Sequence, residues 1–194
     1  MKVIYQLEIE LAGSHPEIWR RVTVPNDTPF DQLNHIIQIC MGWENEYQFE
    51  FIVNKTTVRD FGPELDMGEN PYDRDAMSTV LDELITMIIS RFTYTYGHWK
   101  HQITLEKILY SDEGSEHPVC MNGHGACPPA DLSDISHYED GPENVMSFNI
   151  KEVNARLRRY AEEWEEIYDE TGKIIDELDE HNSKEPDDTE EEEC

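Results

Sequence analysis

The chain of 194 residues carries 43 acidic and 15 basic side chains, a formal net charge of −28, and only 38% of its residues are hydrophobic. A surface of that sign repels phosphate backbones, so the composition argues against general nucleic-acid binding. No apolar run approaches the roughly 20 residues of a membrane-spanning helix. The opening MKVIYQLEIELAG alternates like a strand rather than a signal peptide. We therefore expect a cytoplasmic protein that does not enter a membrane, with its cysteines present as reduced thiols or metal ligands.

The acidic excess is unevenly distributed along the chain. Residues 161–194 hold 17 acidic and 2 basic side chains. Such a run is typical of a solubilising tail, and it also fits adaptation to a salt-rich cytoplasm. The sequence is equally compatible with a solubilising tail and with adaptation to high salt. The one dense basic cluster is Arg156, Arg158 and Arg159, and arginines on an exposed helix face are usually solvated rather than bound to nucleic acid.

The first part of the chain predicts a hairpin, a helix and a strand, in that order. Residues 3–11 and 18–24 alternate between apolar and polar side chains and predict two antiparallel strands. A helix should follow, with Thr28 as its N-cap and Gly42 as its C-cap, because apolar residues between them recur at helical spacing. Residues 47–53 alternate again as a third strand. This order is that of a β-grasp-like opening within an α+β fold that has a mostly antiparallel sheet.

The middle of the chain predicts a second hairpin. A short strand is expected around Val58, followed by an irregular loop, and Thr79 is placed to cap a short helix that runs through Ile85. Residues 87–96 read as a strand, and a second strand alternates after Gly97.

His101 falls on the apolar face of that second strand. The alternation of that strand puts His101 on the same side as Trp99 and Ile103. A histidine among apolar neighbours is either a hydrogen-bonded core residue or a positioned functional group. Spacing alone favours the core residue.

The stretch from Phe92 to Tyr138 is where we expect any chemistry, because it holds five of the eight histidines and two of the four cysteines. Cysteines of structural zinc sites are usually two to four residues apart. Here the spacing is Cys-x6-Cys with a histidine inside, and two glycines in the loop could let the backbone fold around an ion. His101, Asp131 or His117 could complete a set of four ligands. The candidate metal ligands, with zinc as the cofactor they would hold, are His101, Cys120, His124, Cys127 and Asp131.

Two other interpretations of this stretch stay open. The loop could simply pack its two thiols, or Cys120 and Cys127 could form a disulfide, which a reducing cytoplasm disfavours. We assign no catalytic residue.

The C-terminal segment predicts a long helix. Asn149 can cap it, with Glu152 three residues later, and a heptad-like apolar stripe follows. We expect a single α+β domain over residues 1–160, an acidic helical extension over 161–182 and a disordered acidic tail over 183–194. On the extension, Trp164, Ile167 and Tyr168 either pack within the chain or bind a protein partner, including a second copy in a homodimer.

Five segments occur in order over residues 3–160, namely IWRRVTVP, LNHIIQICMGW, YGHWKHQITLEKIL, PVCMNGHGACPPAD and EVNARLRR. Together they resemble the plasmid pRiA4b ORF-3-like family. The resemblance implies an α+β domain in the cytoplasm of bacteria or archaea, sometimes beside mobile elements. A resolvase-like label that is sometimes attached to such proteins finds no recombinase signature in this sequence.

The chain departs from that family's pattern at its polar positions. Tyr47 and Phe49 stand where the family usually has two histidines, and Ala130 stands where it has a glutamate. The hairpin around Gly97 also lacks the family's two aspartates. If these residues form a polar or metal-binding pocket, this chain has lost most of it. The sequence therefore predicts an uncharacterised, non-catalytic binding or interaction module, with a zinc-dependent hydrolase or nuclease-like enzyme associated with mobile elements as the alternative.

Overall fold

The structure is a computed structural model that describes residues 1–15, 17–61, 71–112, 118–132 and 148–167. Its backbone divides into two compact units, Met1–Arg159 and Tyr160–Cys194. The described residues form an α+β arrangement, as predicted. The strands are β1 (Lys2–Leu11), β2 (Trp19–Pro25), β3 (Phe49–Val53), β4 (Thr56–Arg59), β5 (Asp73–Asp75), β6 (Arg91–Tyr96), β7 (Trp99–Ser111) and β8 (Val119–His124), and the helices are α1 (Phe30–Met41), α2 (Leu81–Leu84) and α3 (Ile150–Ile167).

The eight strands form one sheet in the order β5-β4-β3-β6-β7-β1-β2-β8. Every neighbouring pair is antiparallel except β4 and β5, so the sheet is mixed. Both predicted hairpins, β1–β2 and β6–β7, are confirmed, and Gly97 takes a positive φ of 53° at the second turn. The likeness of the opening to a β-grasp fold stays a prediction.

Three strand predictions need correction. The strand expected over residues 87–96 begins at Arg91, because residues 86–90 turn back on themselves through the Thr86 hydroxyl, which accepts hydrogen bonds from the Ile88 and Ile89 N–H groups. The stretch that we read as a loop around Cys120 contains an edge strand, β8. A three-residue strand, β5, was not predicted either.

The core lies between α1 and one face of the sheet. The apolar stripe of α1 is buried as predicted, and Cys40 on that stripe is buried with it as a small apolar residue. Phe30 packs edge-on against Phe51 of β3 and Phe92 of β6, with ring centroids 5.1 and 6.4 Å apart. This packing fixes α1 across the central strands.

The predicted side-chain caps of α1 and α2 are wrong. Pro29 and Val80 occupy the N-cap positions, and neither helix start has a side-chain cap. Instead the two helix starts share backbone groups: the Phe30 N–H donates to the Thr79 carbonyl, and the Leu81 N–H donates to the Thr28 carbonyl. Tertiary contacts therefore supply the acceptors that Thr28 and Thr79 were expected to provide.

The predicted start of the C-terminal helix is confirmed. The Asn149 side chain accepts hydrogen bonds from the Lys151 and Glu152 N–H groups at the start of α3. On α3 the rings of Tyr160 and Trp164 are 6.0 Å apart. The side chain of Ile167, residue Tyr168, and the predicted extension and tail beyond residue 167 lie outside the described part of the structure. Within that part, no helix combines the length and apolar character needed to cross a membrane.

Candidate functional site

The site is built around Trp43, which follows directly on the end of α1. Gly42 ends the helix in the left-handed conformation, at φ 84°, and both Gly42 and Trp43 donate their N–H groups to the Gln38 carbonyl. The turn places the Trp43 indole between Tyr96 and Trp99, stacked on rings whose centroids are 5.5 and 5.9 Å away. The Trp43 indole is therefore held in place by its two neighbouring rings and does not rotate freely.

The two indoles fasten the loop that follows β8. Trp43 Nε1 donates to the Pro128 carbonyl at 2.8 Å, and Trp99 Nε1 donates to the Ala130 carbonyl at 2.9 Å. Buried indole N–H groups need acceptors, and here the backbone of the loop provides them. The Cys-Pro-Pro-Ala-Asp segment is thus held against the end of the β6–β7 hairpin.

A buried arginine forms the inner end of the site. Arg20 of β2 is 2% exposed, and its guanidinium donates five hydrogen bonds. One face of the guanidinium is also covered, since its central carbon lies 4.1 Å from the centroid of the Phe148 ring. No carboxylate pairs with it among the described residues. The acceptors are the carbonyls of Cys40, Trp19, His124 and Gly125 and the thiol of Cys127, at 2.8 to 3.2 Å.

The two glycines of the predicted metal loop make room for this arginine. A Cβ at Gly123 would lie 2.8 Å from Phe148 and 2.9 Å from the Arg20 side chain. Gly125 has a φ of 74°, which a side chain rarely adopts. Close packing and backbone conformation therefore explain why glycine stands at both positions, without a bound ion.

Two of the thiols behind the loop are held protonated. Burial raises the pKa of Cys127 to about 11, with Arg20 acting in the opposite direction, and its Sγ lies 3.3 Å from the Met41 sulfur. A hydrogen bond with the Cys120 thiol raises the pKa of Cys40, and burial adds to the effect. The same bond lowers the pKa of Cys120. All three cysteines are free thiols, so the structure does not contain the Cys120–Cys127 disulfide considered above.

A cavity of about 380 Å³ opens between the end of α1, the loop after β8 and the start of α3. We call it the α1 cavity. Its inner wall is formed by Arg20, by the buried thiol of Cys40, by the half-buried Cys127 and by apolar groups. Exposed carboxylates and Arg156 stand at its opening. The apolar part of its lining consists of Ile39, Met41, Trp43, Pro128, Pro129, Ala130, Phe148 and Val153.

One asparagine fixes α3 beside this cavity. The Asn154 amide accepts a hydrogen bond from the Cys120 N–H at 2.8 Å and donates one to the Cys120 carbonyl at 2.9 Å. A side chain thus takes the place of a neighbouring strand at the outer edge of β8. This contact sets where the first turns of α3 lie.

The predicted metal ligands fall into separate surroundings. His101 is fully buried beneath Trp43, with ring centroids 5.4 Å apart, whereas the exposed His124 bonds through Nδ1 to the Glu17 carbonyl. Cys127 and Asp131 line the α1 cavity, and Cys120 lies against Cys40. Among the described residues no three histidine, cysteine or acidic side chains are grouped to hold a metal ion. His117 lies outside those residues.

His101 is in an unusual state for a buried histidine. Neither of its ring nitrogens has a hydrogen-bond partner among the described residues. Burial lowers the pKa of His101 to about 3, and the main chain of Tyr94 opposes this only in part. The ring is therefore neutral at physiological pH, and His101 is not among the described residues that line the cavity.

Sequence reasoning missed three residues that build the site. Arg20 could have been found, because it falls in the apolar phase of β2 with Ile18 and Val22, where an arginine is out of place. Trp43 and Phe148 carried no local signal. Their role comes from contacts between parts of the chain that are far apart in sequence.

The fold and the site define a class of protein: an α+β domain with one mixed sheet and a cavity at the end of its packed helix. The chain belongs to the plasmid pRiA4b ORF-3-like family, whose model matches residues 3–173. It is 29% identical over 168 residues to the uncharacterized protein y4hQ of Sinorhizobium fredii (strain NBRC 101917 / NGR234), covering 83% of this chain and 80% of that protein. It also resembles the crystal structure of a protein of unknown function, MM3350 from Methanosarcina mazei Go1, with a TM-score of 0.61 and 30% identity over 70% of this chain and 77% of the other.

Proposed function

We propose that the protein is a non-catalytic binding module and that its binding site is the α1 cavity. Its occupant is a segment of a protein partner that presents an apolar side chain next to a basic one. The observation that carries the proposal is the two-part character of the cavity wall, which is apolar inside and acidic at the opening.

The inner wall suits an apolar group. Met41, Phe148 and Val153 line it from three different elements, beside the two prolines of the loop after β8. The volume of about 380 Å³ lies at the lower end of the range for ligand sites, which is roughly 300–1,000 Å³. That space accepts part of a peptide rather than a large cofactor.

The opening suits a positive charge. Arg156 is the basic residue there, since Arg20 is buried and uses all its donors within the protein. The net charge of −28 attracts basic partners over a longer range. The acidic residues that line the cavity are Glu44, Glu46, Asp131 and Glu152, and all four are exposed.

The groups in the wall favour binding over catalysis. The thiols of Cys40 and Cys127 have raised pKa values, so neither supplies a thiolate near neutral pH. No histidine is among the described residues that line the cavity. Nucleophilic chemistry by a thiol needs the thiolate at the reacting atom, and both thiols in this wall are held in the unreactive, protonated form.

The alternative function, a zinc-dependent hydrolase, stays a prediction, and no contact among the described residues supports it. Its five predicted ligands lie in separate surroundings in the described part of the chain. About one zinc ion per chain in protein purified without a metal-affinity tag, measured by native mass spectrometry, would revive it.

The proposal is tested by calorimetric titration with two blocked peptides. One has the sequence leucine–arginine–leucine, and the other has glutamate in place of arginine. We expect the arginine peptide to bind and the glutamate peptide not to. The double variant Glu44→Lys, Glu152→Lys should weaken binding about tenfold or more.

The matched control is Asp60→Lys, which reverses one exposed acidic residue near Asp31 in the first turn of α1, at the opposite end of that helix from the cavity. It should leave the affinity nearly unchanged. Equal binding of the two peptides, or equal weakening by the control, would show that the carboxylates at the cavity opening do not recognise a ligand.

A further inference from the structure

The second half of β7 has a free edge. Pairing between β6 and β7 ends at Arg91 and Thr104, after which the Leu105 N–H donates once more, to the Ser90 carbonyl. Beyond that point β7 continues to Ser111 with β1 as its only partner strand in the described structure. Among the described residues, the outward N–H and C=O groups of residues 106–111 have no strand partner, so another strand could pair with them.

Exposed apolar side chains lie on both faces of this part of β7 and in the turn before β6. Tyr110 of β7 is 68% exposed, and Leu109 beside it is also exposed. Ile88, 95% exposed, and Met87 lie in the turn whose Ser90 carbonyl contacts β7. Such a group at a strand edge is typical of a protein interaction surface. We call the free edge and these four side chains the β7 corner.

A group of acidic residues lies across β1 from this part of β7, where β2 ends. The Val3 carbonyl, in the residue paired with Tyr110, accepts a hydrogen bond from the Asn26 N–H, and the Asn26 carbonyl accepts one from the Asp82 N–H. Asp27 and Glu83 follow Asn26 and Asp82 in the chain. Burial raises the pKa of Asp82, and the charges of Asp27 and Glu83 raise it further, which shows how closely these carboxylates crowd together.

We propose that the β7 corner is a second binding surface, separate from the α1 cavity, which adds an extended segment of another protein as a strand beside β7. That segment has apolar side chains at alternate positions and basic residues that suit the net charge of −28 of the chain. The backbone groups of β7 supply the hydrogen bonds, and the exposed apolar side chains supply the contact area. The cavity lies at the C-terminal end of α1, whereas Asn26 precedes its N-terminal end, so one ligand segment does not explain both surfaces.

Charge favours a basic partner over a second copy of the chain. Two copies paired through this corner would each bring a net charge of −28 and would therefore repel each other.

The test uses a synthetic strand of about six residues, the length of an ordinary β-strand. It alternates valine and threonine, has lysine at both ends, and is blocked at both termini. We expect it to shift the amide NMR signals of residues 106–111 and to slow their hydrogen exchange. The same peptide with glutamate at its ends should bind at least tenfold more weakly.

Two lysine variants locate the surface. Ile88→Lys should weaken binding of the lysine-ended peptide about tenfold. Met121→Lys, at an exposed apolar residue on the other edge strand, β8, should leave it unchanged. Thermal unfolding of both variants should match that of the original protein, since neither side chain is packed.

Three results would overturn the proposal. Equal peptide binding by both variants, or equal binding of the two peptides, would remove the site. Concentration-dependent dimers in sedimentation that disappear in Ile88→Lys would assign the corner to a second copy instead. Signal changes at the Trp43 indole without changes in residues 106–111 would place the peptide in the α1 cavity, which tests the proposed function separately.

Discussion

Among the individual side chains, Arg20 connects more of the site than any other. Its hydrogen bonds join β2 to the end of α1 and to the residues after β8. A buried guanidinium without a carboxylate partner is tolerated only if each of its donors is hydrogen-bonded. Here four carbonyl oxygens and the Cys127 sulfur accept these bonds. The identity of the side chain therefore matters as much as its charge, because a planar fork with five donors fits this arrangement and an ammonium group does not.

The variant Arg20→Lys should lower the free energy of unfolding by roughly 2–4 kcal/mol, because it keeps the charge but leaves several buried carbonyls unpaired. Arg21→Lys is the matched control, since Arg21 pairs with Glu8 and Glu106 on the open face of the sheet and should cost no more than about 1 kcal/mol. Chemical denaturation of both variants gives the comparison. Equal losses would mean that Arg20 acts only through its charge.

His101 should make stability depend on pH in a defined window. Its folded pKa of about 3 lies below the ordinary value of 6.5, so the unfolded chain binds an extra proton between these values. Stability is therefore unaffected by this group above pH 6.5 and falls as the pH drops towards 3, by up to about 1.4 kcal/mol per pH unit.

The variant His101→Phe removes this proton while keeping an aromatic ring against Trp43 and Tyr94. The difference in unfolding free energy between the two proteins should be constant above pH 6.5 and should shift in favour of the variant below it. Denaturation curves across this range measure the difference. If the unfolding free energies of both proteins changed equally with pH below 6.5, His101 would be protonated in the folded state.

Among the secondary-structure elements, β8 depends most on a partner that is not a strand. It is short, it contains a glycine, and its outer edge is held by Asn154 of α3 rather than by another ladder. The loop that carries Cys127 to Asp131 follows directly from β8. The position of β8 therefore controls one wall of the α1 cavity.

Asn154→Asp should loosen this edge, because it can still accept from the Cys120 N–H but cannot donate to the Cys120 carbonyl. We expect a loss of about 1–2 kcal/mol, concentrated in β8. Native-state hydrogen exchange should show faster exchange at residues 119–124, with β1 and β7 unchanged. Uniform acceleration over the whole sheet would mean that the bond supports the global fold instead.

The elements also show how far the sequence predicts this fold. Alternation located β1, β2, β6 and the first half of β7, because each has one buried and one polar face. The N-terminal side-chain caps of α1 and α2 were predicted wrongly because backbone groups distant in sequence satisfy the helix starts, whereas the predicted C-cap of α1, Gly42, is confirmed. The strand β8 was missed because cysteine, asparagine and glycine give no strand pattern, and its pairing comes from β2.

For the molecule as a whole, the site is a product of tertiary structure. The α1 cavity takes its wall from Arg20, from residues 39–46, from residues 127–131 and from α3, and no local pattern connects these segments. The family that the five quoted sequence segments resemble is confirmed, over residues 3–173. The metal-ligand prediction from spacing grouped His101 with His124, whereas the fold buries one and exposes the other.

The most direct measurement of the central claim is the location of the bound leucine–arginine–leucine peptide. The four tryptophans give four indole N–H signals in a nitrogen-15 NMR spectrum. Trp43 lines the α1 cavity and Trp99 holds its loop, whereas Trp19 and Trp164 do not line it. We predict that the Trp43 signal shifts most, followed by Trp99. Saturable binding that leaves both signals unchanged would contradict the assignment of the α1 cavity as the binding site.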